Sequence, residues 1–268
     1  MTTISLLGAP HDDYSSHLKG AAAAPGPIRE ALWSEAYGLV SETRVDLGQP
    51  GRLVDHGDVI FGEGIDPWDA IEARVGEVLQ AGHPLICLGG DHAVSHPILR
   101  AVRRRHPRLT IVHIDAHSDL YDVYQGNPRS HACPFARIME EGLADRLIQI
   151  GIRCVNPHHD AQIARFGVEV VEAYLWRRSL PLRLDGPVYI SLDLDALDPA
   201  FAPGVSHPEP GGLSTRQVID IIQAIDQPIV GADIVEYNPS RDVNGLTAGV
   251  VAKLLKEVAG MMVRTNAS

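Results

Sequence analysis

Two motifs place acidic and imidazole side chains at alternate positions directly after apolar runs. Asp115, His117 and Asp119 follow the run LTIVHI, and Asp193 and Asp195 end the run PVYISLDLD. Alternate residues that leave a strand point the same way, so each set can face one site. Two carboxylates on one face of a buried strand repel each other and lose hydration, and a cation relieves both costs. The spacing therefore favours metal binding, with a polar loop after a strand as the alternative for DAHSD taken alone.

A third motif, GGDH, adds another imidazole. His92 follows Gly89, Gly90 and Asp91, and the two glycines allow a tight turn and close approach of the backbone. Alone, this motif is more typical of a structural turn, in which Asp91 could orient the imidazole from outside a metal site. Combined with the other two motifs, it completes a set of two imidazoles and four carboxylates. The set is His92, Asp115, His117, Asp119, Asp193 and Asp195.

The charge of this set predicts two metal ions rather than one. Four carboxylates balance two divalent cations, whereas one ion would leave excess negative charge. Oxygen-rich ligands with some imidazole suit Mn²⁺, and Fe, Co, Ni and Zn are alternatives. Paired ions can lower the pKa of a shared water toward neutrality, which makes hydroxide available as a nucleophile. The sequence therefore predicts a metal-dependent hydrolase.

Two further residues are candidates for acid–base chemistry and substrate binding. His131, in RSHACPF, lies at the start of a helical segment and could carry a proton to a leaving amine. Its alternative is a helix-cap or surface histidine. Glu236, in DIVEYNP, ends a strand and could bind a planar cation such as guanidinium through two hydrogen bonds. Its alternative is an ordinary salt bridge to a nearby arginine.

Eight apolar runs alternate with amphipathic stretches, and they are the elements that must position these residues. This alternation predicts a mostly parallel sheet covered by helices on both faces. Four of the runs lead directly into the candidate residues, and ligands bind outside the carboxyl ends of strands in such sheets. We therefore expect the four segments to converge on one cleft. Strands are predicted within 4–10, 53–59, 84–90, 109–115, 147–153, 168–173, 187–195 and 228–236, and helices within 28–38, 69–82, 96–105, 133–142, 160–167, 215–225 and 246–263.

Composition narrows the class of protein. A chain of 268 residues with 45% apolar content can form one large α/β domain, which we assign to residues 1–268. The net charge of −11 argues against nucleic-acid and anionic-membrane partners and suits a cationic small substrate. Three cysteines without a CxxC pair argue against a disulfide framework. The sequence shows neither signal-peptide features nor an apolar run near the roughly 20 residues that span a bilayer, so a cytoplasmic location is expected.

The motifs together resemble the arginase/agmatinase family, the ureohydrolases. GGDH at 89–92, DAHSD at 115–119 and SLDLDALDPAFAPG at 191–204 are similar to the family's three metal signatures and occur in the same order. GPIR at 26–29, DHGD at 55–58 and VEYNP at 235–239 extend the resemblance from about residue 5 to the final helix. The resemblance implies a three-layer αβα fold with an eight-stranded, mostly parallel sheet. It also implies two Mn²⁺ per subunit, a homotrimer or homohexamer, and a small guanidino substrate.

The resemblance further implies roles for individual residues. Asp119 would hold the bridging hydroxide as well as a metal ion, His131 would shuttle protons, and Glu236 would bind the guanidinium group. Hydroxide would attack the guanidino carbon, and the tetrahedral intermediate would release urea and an amine.

The sequence says less about the part of the substrate that lies away from the guanidino group, which we call the substrate tail. PEPGGLS at 208–214 and SHACPFARIMEEG at 130–142 resemble the agmatinase branch, so agmatine is the first expectation. Candidate contacts to the substrate tail are Asn127, Ser130, His207 and Arg129. Arg129 as a carboxylate partner would favour a guanidino acid, and an exposed loop arginine is its alternative.

Other activities remain open. Alternatives on the same metal centre are a guanidino-acid hydrolase, an arginase and a formimidoylglutamase-type amidine hydrolase. A single-zinc deacetylase and a catalytically silent binding protein are disfavoured by the complete ligand set.

Overall fold

The computed structural model describes residues 2–176 and 182–267, which are built around an eight-stranded sheet. The strands are β1 (Ile4–Ala9), β2 (Leu53–Asp58), β3 (Leu85–Gly89), β4 (Thr110–Ile114), β5 (Arg146–Ile152), β6 (Glu169–Glu172), β7 (Val188–Asp193) and β8 (Ile229–Val235). All neighbouring strands pair in parallel, in the order β2-β1-β3-β8-β7-β4-β5-β6. The predicted strands and the α/β class are therefore confirmed.

Helices cover both faces of the sheet and make the three layers. The helices are α1 (Pro25–Leu32), α2 (Pro67–Val78), α3 (Ser95–Arg103), α4 (Pro134–Glu140), α5 (Pro157–Phe166), α6 (Thr215–Gln223) and α7 (Leu246–Thr265). Successive residues of a strand face opposite sides, so Ile4 and Leu6 pack with α1, α6 and α7, whereas Leu7 and Ala9 pack with α2 to α5. Within the described residues, no helix is both long and apolar enough to cross a membrane.

Local sequence explains where α2 and α6 begin but not where α1 ends. Asp66 caps the start of α2, and Ser214 with Gln217 forms a capping box at the start of α6. The predicted helix at 28–38 instead begins at Pro25 and ends at Leu32. Trp33 and Tyr37 lie beyond that end and are 49% and 46% exposed. A longer helix would therefore have gained little additional apolar burial.

Two of the motifs that carry the family resemblance meet away from the predicted metal ligands. The Arg29 guanidinium of GPIR binds Asp55 at 2.7 Å and Asp58 at 2.6 Å, both in the DHGD motif. It also donates to the Gly57 carbonyl. This contact fastens α1 to the edge strand β2, so a structural function accounts for both motifs.

The strand order places the four chemically important segments side by side. β3, β8, β7 and β4 are consecutive neighbours, although up to about 140 residues separate them along the chain. Their register aligns Leu88 with Ile234, and Leu192 with both Ile234 and Ile114. Their carboxyl ends therefore lie in one row at the centre of the sheet.

Gly90 joins two of these strand ends to the segment that follows β1. Its carbonyl accepts a hydrogen bond from the Glu236 N–H at 2.8 Å, and its own N–H donates to the Ala9 carbonyl. A Cβ at this position would lie 1.8 Å from the His11 carbonyl oxygen. The close approach of backbone to backbone therefore requires glycine here.

We predict that Gly90→Ala destabilises the protein by about 3 kcal/mol because the backbone must move to admit a methyl group. The matched control is Gly76→Ala in α2, where an added Cβ meets nothing within 4 Å. That change should instead stabilise the protein by roughly 0.5–1 kcal/mol through helix propensity. Urea unfolding at equal protein concentration checks both, and equal stability of the two variants would contradict the prediction.

Candidate active site

His92 lies at the centre of one group of carboxylates. Its Nδ1 is 3.2 Å from Asp115 Oδ2, 3.0 Å from Asp119 Oδ2 and 3.1 Å from Asp193 Oδ2. These side chains come from the ends of β3, β4 and β7 and the loop after β4, and all are buried. The structure therefore brings together four of the six predicted metal ligands around one point.

His117 forms a second group beside the first. Its Nδ1 is 3.0 Å from Asp195 Oδ2 and 3.6 Å from Asp115 Oδ1. Asp115 thus directs one carboxylate oxygen toward His92 and the other toward His117. The six predicted residues form two groups that share a carboxylate, which is the arrangement expected of a two-metal site.

The His92 imidazole provides a test of whether a metal fits here. Its Nε2 lies 3.0 Å from Ser191 Oγ, and Ser191 donates its own proton to Asp233 at 2.7 Å. His92 Nε2 is therefore the protonated nitrogen, and Nδ1 presents a lone pair. That buried Nδ1 has no hydrogen-bond partner and faces three carboxylate oxygens. Burial opposes a charge on His92, yet the three carboxylates raise its pKa well above the usual value. The position therefore attracts a positive charge, and a divalent metal at Nδ1 would supply it in place of a proton, so the residues fit a metal.

The close approach of these buried carboxylates shifts their pKa values. Burial, together with the charges of Asp195 and Asp115, raises the pKa of Asp193 well above its usual value. Burial raises the pKa of Asp195 to about 6 against the opposing effect of His117. Burial alone would also raise the pKa of Asp115, but the neighbouring histidines hold it well below its usual range. Bound cations would stabilise all three in the charged form.

His113 orients the shared carboxylate, and sequence reasoning missed it. Gln149 Nε2 lies 3.0 Å from His113 Nδ1 and 2.7 Å from the Ser118 carbonyl, so its amide donates to both. His113 Nε2 then donates to Asp115 Oδ2 at 2.7 Å, and its ring stacks on Phe135. Histidine at this place fixes the rotamer of Asp115 from outside the metal groups. Its position two residues before Asp115, on the same face of β4, was the available signal.

A second group of side chains outside the metal groups orients His92. It consists of Ser191, Asp233 and Tyr189. Asp233 is fully buried and accepts hydrogen bonds from both Ser191 Oγ and the Tyr189 hydroxyl, each at 2.7 Å. Ser191, and not Asp91, therefore orients the His92 imidazole. Asp91 instead accepts hydrogen bonds from the Ala93 N–H and Ser15.

Glu236 and His131 form a pair next to the metal groups. Glu236 has a φ of +63° and accepts from the His92 N–H at 2.9 Å. The same oxygen lies 2.8 Å from His131 Nδ1, and Ser16 Oγ lies 2.8 Å from His131 Nε2. Burial would lower the pKa of His131, but the Glu236 charge and hydrogen bond raise it to about 9. At neutral pH this imidazole therefore holds a proton that it can donate.

One cavity of about 320 Å³ opens onto both metal groups and the Glu236–His131 pair. His207 lines this cavity, and its ring centroid lies 5.1 Å from those of His131 and His17. Residues that the sequence did not single out complete much of its wall. They include Tyr121, Tyr124, Arg153, Cys154 and Asn156.

The other predicted contacts to the substrate tail have partners within the protein. In the described part of the chain, Asn127, Ser130 and Arg129 are not among the residues that line the cavity. Asn127 Oδ1 accepts from the Arg129 N–H, and the Arg129 guanidinium binds Asp66 at 2.6 Å. A direct role for these three residues in substrate binding stays a prediction.

Arg153 has a structural function in the cavity wall. Its guanidinium donates to the carbonyls of Asp195, Ala196 and Glu209, among others. These bonds hold the segment after β7 in place. They also occupy the guanidinium, so Arg153 is poorly placed to bind a substrate carboxylate.

We predict that Asp195→Ala removes one of two bound Mn²⁺ ions per chain because His117 loses its nearest carboxylate partner. The matched control is Asp198→Ala, three residues later. Asp198 lies outside both groups and accepts the backbone N–H groups of Ala200 and Gly211. Elemental analysis after Mn²⁺ loading and gel filtration checks the difference, and equal metal content in both variants would contradict it.

Comparisons with known proteins agree with this geometry. The model of the arginase family matches residues 2–260. Mitochondrial arginase 1 of Arabidopsis thaliana is 46% identical over 273 residues, which cover 95% of this chain and 80% of the plant protein. The N(1)-aminopropylagmatine ureohydrolase of Thermus thermophilus is 44% identical over 251 residues, covering 88% of this chain and 83% of that protein.

A solved structure leads to the same conclusion. The arginase from Medicago truncatula superposes with a TM-score of 0.92 at 42% identity and covers 97% of this chain and 87% of its own. The chain therefore belongs to the arginase family, whose members are hydrolases that break guanidino carbon–nitrogen bonds.

Proposed function

We propose that this protein hydrolyses the guanidino group of L-arginine at a two-manganese centre, releasing urea and an amine. The observation that supports the proposal best is the shared cavity, where two carboxylate–imidazole groups meet through Asp115 beside the Glu236–His131 pair. The choice of arginine is supported by the arginases of 46% and 42% identity. The choice of manganese is supported by the mixture of carboxylate and imidazole ligands.

The chain's own residues can bind the substrate and move its protons. Two divalent ions, when bound, supply an activated water for attack on the guanidino carbon. Asp119 lies at the His92 group and lines the cavity, where it can accept a hydrogen bond from that water. Glu236 can bind the guanidinium through charge-assisted hydrogen bonds. His131 can donate its proton to the departing nitrogen.

The contact between Glu236 and His131 gives the proton transfer a physical basis. The negative charge of Glu236 is the main influence that keeps His131 protonated when the cavity holds no substrate. A guanidinium bound to Glu236 neutralises part of that charge. The bound substrate therefore makes His131 a stronger acid at the step that needs one.

Agmatine is the second candidate and was the first expectation from the sequence. Among the described residues, Arg153 is the arginine that lines the cavity, and its guanidinium donates to backbone carbonyls, so it is poorly placed to bind a substrate carboxylate. An amine tail needs no such partner, and the relative from Thermus thermophilus is named for a related amine. The homotrimer or homohexamer and the cytoplasmic location stay predictions from the sequence.

Urea release from a panel of guanidino compounds tests the substrate. With Mn²⁺ present, we expect L-arginine to give the highest kcat/KM, followed by agmatine, with guanidinobutyrate and guanidinopropionate below both. A higher value for agmatine would replace arginine as the preferred substrate. Formamide from formimidoylglutamate, without urea from the panel, would instead identify the amidine hydrolase alternative.

We predict that His131→Asn lowers kcat by roughly 10²- to 10⁴-fold because it removes the proton donor. The bound manganese should not change, since His131 is not one of the predicted metal ligands. His106→Asn, in the segment that follows α3 outside this cavity, is the control and should keep kcat within about twofold. Steady-state urea release together with elemental analysis checks the prediction, which fails if His131→Asn retains full kcat.

A further inference from the structure

Arg129 connects the loop that carries His131 to the start of α2. Its Nη1 lies 2.6 Å from Asp66 Oδ2, and its guanidinium lies over the Trp68 ring, 4.5 Å from the centroid. Asp66 is also the N-cap of α2, where it accepts from the Trp68 N–H at 2.9 Å. The guanidinium is thus held by an ion pair and a cation–π contact on the first turn of one helix.

Tyr14 links this contact to His131. The Tyr14 ring packs edge-on against the Trp68 ring, with 5.8 Å between the two ring centroids. The Tyr14 carbonyl accepts from the His131 N–H at 3.2 Å. Arg129, Tyr14 and Trp68 therefore make one connected set of contacts that ends at the backbone of the proposed acid.

The loop itself is a turn closed by hydrogen bonds between its own residues. Tyr124 and Asn127 pair through their backbones, and Asn127 Oδ1 accepts from the Arg129 N–H. The ion pair between Arg129 and Asp66 joins this loop to the start of α2, and Arg129 lies two residues before His131. Since Arg129 does not line the cavity in the described part of the chain, any effect it has on the reaction must pass through another residue.

We propose that Arg129 is a positioning residue, which binds Asp66 and Trp68 to hold the 124–131 loop on α2 and keep His131 in contact with Glu236. The proposal rests on the proposed function of His131. It replaces the sequence expectation that Arg129 binds a substrate carboxylate. The Arg129 and Asp66 side chains are 42% and 37% exposed, and ion pairs this exposed add little to overall stability. Small displacements of a catalytic group nevertheless reduce rates strongly.

The test compares Arg129→Ala, Arg129→Lys and Asp66→Asn. Asparagine is as good an N-cap as aspartate, so Asp66→Asn removes the ion pair without removing the cap. We expect Arg129→Ala and Asp66→Asn each to lower kcat about tenfold, through misplacement of His131, with KM unchanged. The loss should be equal for arginine and agmatine, and the double variant should lose no more than either single one. Arg129→Lys should recover part of kcat, because it keeps the charge but not the planar fork.

The matched control is Arg146→Ala. Arg146 makes a comparable ion pair with Glu169 at 2.8 Å, between the starts of β5 and β6, where the carboxyl ends of the strands do not lie. It should leave kcat, KM and the pH profile unchanged. In Arg129→Ala and Asp66→Asn, by contrast, the alkaline limb of the kcat profile should shift to lower pH because His131 loses contact with Glu236.

A readout independent of activity separates this proposal from the proposed function. Amide hydrogen exchange across residues 124–131 should be faster in Arg129→Ala and Asp66→Asn than in the parent and in Arg146→Ala. Unchanged exchange overturns the proposal, whether or not the parent releases urea. The proposal is also overturned if Arg129→Ala lowers kcat only with L-arginine as the substrate while Asp66→Asn keeps its full kcat. That result would restore Arg129 as a substrate ligand. If the parent releases no urea from any guanidino compound, the proposed function fails, and the exchange rates still decide whether Arg129 anchors the loop.

Discussion

Mutual repulsion among buried carboxylates is the constraint on which the arrangement of the site depends. Asp115, Asp193 and Asp195 are each at most 4% exposed, and Asp119 is 7% exposed. Charges removed from water at such close range destabilise one another unless each has a partner. His92 and His117 lie among the carboxylates, and His113 and backbone N–H groups bind them from outside. His92 Nδ1 faces three of these carboxylate oxygens, and this arrangement favours a bound cation.

The fold meets this constraint with rigid elements. The four segments that carry the site end on neighbouring strands at the middle of the sheet, where both faces are covered by helices. Groups on such strands move little, so the distances between the carboxylates are set by the register of the sheet. Other residues that line the cavity, such as Tyr124 and His207, lie instead in loops. Related proteins can therefore share the centre and differ in the molecule they bind.

The sequence was sufficient to predict the features that depend on local pattern. It did not predict the contacts that depend on strand order or on the packing of loops. The eight strands and six metal-ligand candidates could be found because alternation and spacing are local properties. The sharing of Asp115 between two imidazoles could not, because it depends on the strand order β3-β8-β7-β4, which brings His92 after β3 close to Asp115 after β4. Arg129 makes a second contact that local reasoning could not find. Its partner Asp66 is 63 residues away, and nothing near Arg129 in the chain indicates that contact.

The position of Asp115 between the two metal groups also affects the thermodynamics of metal binding. Because its two oxygens face different imidazoles, the two metal positions cannot be filled independently of each other. An ion at one position fixes the carboxylate and withdraws part of its charge, and both effects alter the free energy of binding at the other. By reciprocity, each ion must change the affinity of its neighbour by the same factor. The centre is therefore a linked pair of binding equilibria, and the identity of the metal on one side contributes to selectivity on the other.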